Sequence, residues 1–144
     1  MEEEPLDDLP FWRHPYKIAG LLMLVNTLLV IAEGVLIKSN GPIGTSPLPI
    51  LFDLVIGGSL LNGSLRWRTW AIVRAVLGLL LMGGLAVSTG DFCTPVMMMC
   101  WVGGLVNLLV GRASGLRIAI SLGAFAIYAL AEVLGLALAA AGVI

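Results

Sequence analysis

Residues 118–144 read IAISLGAFAIYALAEVLGLALAAAGVI, with Glu132 as the only charged side chain. An unbroken apolar run longer than about 20 residues is long enough to cross a bilayer as a helix. A spanning strand would alternate polar and apolar residues at every second position, and this run does not. Lipid is therefore the expected solvent for this segment. Working back from it, the chain holds further apolar stretches near 18–37, 49–65, 70–87 and 94–110, and the last crossing falls near 118–140. Each stretch is bounded by charge, Pro or Gly.

Composition points the same way. The 144 residues are 59% apolar and 12% charged, whereas a soluble domain is about half apolar and about a quarter charged. A soluble domain must cover its surface with polar groups, a demand that lipid removes. The expected fold is all-α: one polytopic transmembrane bundle of about five spans over residues 1–144, with no room for a separate soluble domain. Residues 1–17 form a tail, acidic and then aromatic. Five of its side chains, Glu2, Glu3, Glu4, Asp7 and Asp8, are acids. That head is unlike the basic start of a cleaved signal peptide and reads as a solvated tail. Phe11, Trp12 and Tyr16 follow as an interfacial aromatic anchor.

Basic residues near the span ends set the orientation. With the N-terminus in the cytoplasm and five alternating spans, Arg13, Lys17, Arg66, Arg68, Arg112 and Arg117 fall inside, and Lys38 alone falls outside. The C-terminus is then outside. The run 53–70, with its glycines and its Arg66-Trp67-Arg68-Thr69-Trp70 ending, has the general look of small bacterial membrane proteins, so a bacterial inner membrane is the expected location. Ile56-Gly57-Gly58 followed by Arg66 matches Val102-Gly103-Gly104 followed by Arg112 at a constant offset. This weak echo is what a parallel duplication of two spans would leave.

Polar groups within apolar spans are the default functional candidates, because lipid makes each costly unless paired or wetted. They fall on helical stripes: Asn26 with Glu33, Asp53 with Gly57, Cys100 with Gly103 and Asn107, and Ser121 with Tyr128, Glu132 and Gly135. At ~1.5 Å per residue, Glu33 lies roughly 24 Å above Lys17 and Glu132 roughly 22 Å above Arg117. Asp53, counted from an outer boundary at Pro49 in a core of about 30 Å, falls near the same level. Arg74 lies near the inner face, where it can snorkel.

Three readings are open for this carboxyl layer. It can be a proton or cation site formed by Glu33, Asp53 and Glu132, with Tyr128 and Asn26 beside them. It can meet a basic residue supplied by a partner subunit. Or it is structural: Asp53 helps cap its helix, Glu33 reaches the outer interface, and Glu132 bonds Tyr128 one turn away. Arg74, Asn107, Gly57, Gly103 and Gly135 are the candidates for packing or an interface, since small residues let helix backbones approach.

Enzyme chemistry is not expected. His14, the single histidine, is placed in the aqueous flank, away from any buried nucleophile. Cys93 and Cys100 lie two turns apart on one helix, too far for a bridge, and nothing soft stands near them to hold a metal. Met97, Met98 and Met99 point in three directions around a helix and read as packing. No P-loop, nucleophile elbow or dinucleotide fingerprint occurs, so no cofactor is implied. The few basic residues are split among loops and do not suit nucleic acid. The expected partners are the lipid bilayer and either further copies of this chain or a membrane partner subunit. The expected function is that of a non-enzymatic accessory or structural subunit working through helix–helix contacts; a small proton- or cation-linked transporter or channel using the carboxyl layer is the alternative.

Overall fold

A computed structural model describes residues 10–36, 47–90, 92–110 and 114–141. The acidic head, Lys38 and the turn-rich residues after it, Asp91 and Arg112 lie outside these. The described chain is helical, with α1 (Pro15–Leu36), α2 (Pro47–Leu61), α3 (Arg68–Gly78), a π-helical turn (Leu79–Gly83), α4 (Gly84–Ser88), α5 (Cys93–Val110) and α6 (Gly115–Ala140). The segments Pro15–Glu33, Leu65–Ser88, Cys93–Val110 and Gly115–Leu138 are long and apolar enough to cross a membrane, and Leu48–Leu61 is a shorter apolar helix. The protein is thus an integral membrane helix bundle of about five spans.

Pro15 opens α1 at a position where its missing N–H costs nothing. Just before it, His14 Nδ1 accepts the Lys17 backbone N–H at 3.4 Å. Sequence places His14 in water, but its side chain is only 2% exposed. The short 3-10 turn Phe11–Arg13 folds this segment back, so that His14 meets Tyr16 edge-on, with ring centroids 5.8 Å apart.

The second span also differs from expectation, ending at Leu61 rather than near residue 65. Asn62 and Gly63 form a turn, and Gly63 has φ +81°, a left-handed conformation that favours glycine. With 15 residues, α2 is about 22 Å long, short of a full hydrocarbon core.

The third crossing is interrupted by its π turn at Leu79–Gly83. Pro95 of α5 packs there, only 3.5 Å from where a Gly83 Cβ would sit. The crossing ends at Gly90, φ +84°, after Ser88 and Thr89 hydroxyls donate to the Leu85 and Ala86 carbonyls.

Two antiparallel hairpins, α1–α2 and α5–α6, carry most of the tertiary contact; α1 also meets α5 and α6, and α3 lies against α5 and α2. The core is not spread evenly along the bundle. Tyr16, Ile18, Ala19, Leu22 and Met23 start α1, Ile56 and Leu60 end α2, Ala71 and Ala75 start α3, Leu105, Leu108 and Leu109 end α5, and Ile118 and Phe125 start α6. All of these belong to the end where α1 begins. Towards the other end Leu28, Val35, Leu48, Leu80, Leu81 and Leu130 are exposed, each by 60% or more. The buried core is weighted towards the basic end and reaches the middle of the bundle through Trp101, Val102 and Tyr128.

The internal echo has no counterpart in the packing. Of its glycines Gly57 and Gly104 make close contacts, while Gly58 and Gly103 meet nothing within 4 Å. The aligned positions therefore face opposite ways, as expected of a chance match between glycine-rich helices.

Candidate functional site

Sequence expects three acids at one depth, and the structure separates them. Asp53 lies about 12 Å from the Leu61 end of α2, and Arg74 about 9 Å from the Arg68 start of the antiparallel α3. Their side chains meet, with Arg74 Nη2 donating to Asp53 Oδ2 at 3.1 Å. The outer-boundary count placed Asp53 too high because α2 is too short to fill the bilayer. Nor does Arg74 snorkel towards the inner face: its Nη1 reaches 3.0 Å from where a Gly78 Cβ would sit, one turn further along α3. Asp53 is also too far along α2 to cap it.

Glu33 and Glu132 do share a level. Glu132 stands one turn beyond Tyr128 on α6, and Glu33 two turns beyond Asn26 on α1, the residue that Tyr128 bonds. The two acids sit on α1 and α6, which run parallel, away from the end where most of the buried core gathers; Glu33 is exposed and Glu132 half-buried. The Tyr128 hydroxyl does not bond Glu132. It donates to Asn26 Oδ1 at 2.8 Å and ties α6 to α1 across the seam. Trp101 and Phe125 surround the Tyr128 ring, their centroids each 6.0 Å from it.

This hydrogen bond divides the seam. Below it lies packed apolar core, and above it lie the two carboxyls. Interhelical hydrogen bonds in membranes contribute about 0.6 kcal/mol on average, with a maximum near 1.7. A double-mutant cycle with Tyr128→Phe and Asn26→Leu, read by denaturation in mixed micelles, is expected to give a coupling in that range. Strict additivity of the two changes would show that the bond adds nothing to stability.

A second polar seam joins α5 to α6. Asn107 Nδ2 donates to Ser121 Oγ at 2.9 Å and to the Arg117 carbonyl at 3.1 Å. Asn107 is therefore used within the chain. Beside it Gly104, missed as a packing position, lets α5 approach α6: a Cβ there would lie 3.2 Å from the Ser121 carbonyl oxygen. Gly103 and Gly135 meet nothing within 4 Å among the described residues. Gly57 packs as expected, and its partner is Gly20 on α1.

Leu48, Leu51, Phe52, Val55 and Trp67 line a shallow apolar groove, with no acid among its lining residues. Among the described residues no group of His, Cys, Asp and Glu is arranged to hold a metal ion. What these features define is a class: a membrane helix bundle with two polar seams, one intramembrane ion pair and two carboxyls away from its basic end. Comparison with protein-family models, curated proteins and solved structures finds no match to this chain.

Proposed function

We propose that the chain is a non-enzymatic, multi-pass accessory or structural subunit of a bacterial inner membrane, oriented N-in and C-out, that works through helix–helix contacts within the bilayer. The observation that carries this reading is the placement of Glu33 and Glu132. Both lie on apolar helices beyond the Asn26–Tyr128 bond, away from the end where most of the buried core gathers. A carboxyl facing lipid is costly and is relieved by a partner that brings a cation or a donor. The open backbone at Gly135, one turn beyond Glu132, leaves room for such a helix to approach.

Purification in mild detergent is expected to yield a stoichiometric complex, with a second membrane protein or with further copies of the 15.2 kDa chain. Glu132→Leu is expected to weaken that complex. A clean monomer at every detergent and lipid condition tried would sink this reading.

The placement of Glu33, Glu132 and Tyr128 towards one end of two contacting helices favours one alternative, a small proton- or cation-linked transporter or channel. On that reading Glu132→Gln abolishes a pH- or cation-driven flux in proteoliposomes. A flux unchanged by the substitution removes Glu132 from any transport role.

A further inference from the structure

The basic end of the bundle carries a feature that neither reading uses. The turn after α2 presents Arg66, exposed, and Arg68, half-buried, on either side of Trp67. Lys17 of α1 comes to the same turn, its Cε 3.9 Å from where a Gly63 Cβ would sit. Trp67 in turn lines the apolar groove, together with Leu48, Leu51, Phe52 and Val55. These last four recur at helical spacing and form one stripe along α2. All four are more than half exposed, so nothing else in the described chain covers them.

Charge complementarity decides what the surface fits. Among the described residues Lys17, Arg66 and Arg68 have no carboxylate partner, and the acids Glu33, Asp53 and Glu132 all belong to spans. Two arginines on either side of a tryptophan that lines an apolar groove, with Lys17 near the same turn, match a molecule with an anionic head and a long apolar tail. We infer that this surface retains one anionic phospholipid, its phosphate held by Lys17, Arg66 and Arg68 and one acyl chain laid along the groove past Trp67. Basic pockets between helices at the headgroup level hold anionic lipids through this pairing of charge and shape. Arg117, the basic residue at the start of α6, is not among the residues that line this groove, which makes it the natural control.

Native mass spectrometry of the full chain, titrated with phosphatidylglycerol and with phosphatidylcholine, tests the assignment. Wild type is expected to keep one phosphatidylglycerol in preference to phosphatidylcholine. The preference should fall about twenty-five-fold in Arg66→Gln/Arg68→Gln, at about fivefold per cation. Arg117→Gln should leave it unchanged, and Arg66→Lys/Arg68→Lys should restore most of it, which separates charge from a folding defect. Val55→Trp, which fills the groove and keeps every charge, should weaken retention of both lipids. Equal losses in Arg117→Gln and the double variant would reduce the effect to general surface charge and overturn the proposal. So would displacement of the lipid by millimolar glycerol phosphate, which would show a phosphate site with no use for the tail. A preference that emerges only when Glu2, Glu3, Glu4, Asp7 and Asp8 are neutralised would overturn it too, by making the chain's own acidic head the occupant.

Discussion

Asp53→Ala is expected to destabilise the protein by about 3 kcal/mol in detergent micelles, and adding Arg74→Met is expected to recover most of that loss. The single change leaves a guanidinium within an apolar span with no counter-charge, since the Asp53–Arg74 pair is the only ion pair among the described residues. The Arg74 side chain is 31% exposed and the Asp53 side chain 13%, and what surrounds them at that depth is lipid rather than water. Arg74 can recover part of the cost by bending back towards the Arg68 end, which holds the effect near the cost of a lone mid-span charge rather than above it. The double variant removes both charges, and apolar replacement of a paired set is often neutral or better. Reversible unfolding followed by circular dichroism measures all three proteins. If Asp53→Ala unfolds with wild type, the contact is incidental. If the double variant is as unstable as the single one, the loss comes from packing on α2 and not from the stranded arginine.

That ion pair also marks where sequence reasoning stops. The spans were legible because their signal is long and one-dimensional: apolar runs such as 118–140 between charge, Pro and Gly need no tertiary information. The side-chain level was only partly legible. Glu33 and Glu132 could be matched in depth because both are counted from basic boundaries on helices that run parallel. Asp53 could not, because its depth hung on the length of α2, and Gly63 ends that helix early by taking a left-handed turn. The cue was present in Asn62-Gly63-Ser64, a run of turn formers, but the apolar pattern outweighed it. Tyr128 and Asn26 were both legible as candidates, yet their bond crosses between the first and last described helices and no local spacing encodes it. His14 was misplaced for the opposite reason: a polar residue beside a charged tail reads as solvated unless the short turn that folds it inward is known.

Gly20→Ala is expected to be the most damaging glycine-to-alanine change among the described residues. At their crossing α1 and α2 touch backbone to backbone. A Cβ on Gly20 would lie 2.5 Å from the Gly57 carbonyl oxygen and 2.6 Å from the Leu61 nitrogen, and neither of these can rotate away. The hairpin must open to admit it, and overpacking of this kind costs about 1–3 kcal/mol, occasionally more. Opening the α1–α2 seam also draws Ala19 and Leu60, both fully buried, away from each other's helix. The neighbouring glycines grade the expectation. Gly57→Ala would press on the Gly20 oxygen at 3.1 Å and on the Leu24 side chain at 3.2 Å; the side chain can yield, so a smaller loss is expected. Gly58→Ala meets nothing within 4 Å and removes backbone freedom from a helix, so it is expected to be neutral or stabilising by up to about 1 kcal/mol. The order Gly20, Gly57, Gly58 in denaturant midpoint is therefore the test of the crossing. Equal effects at Gly20 and Gly58 would mean that the two helices do not meet at this point and that the α1–α2 hairpin is packed on another face.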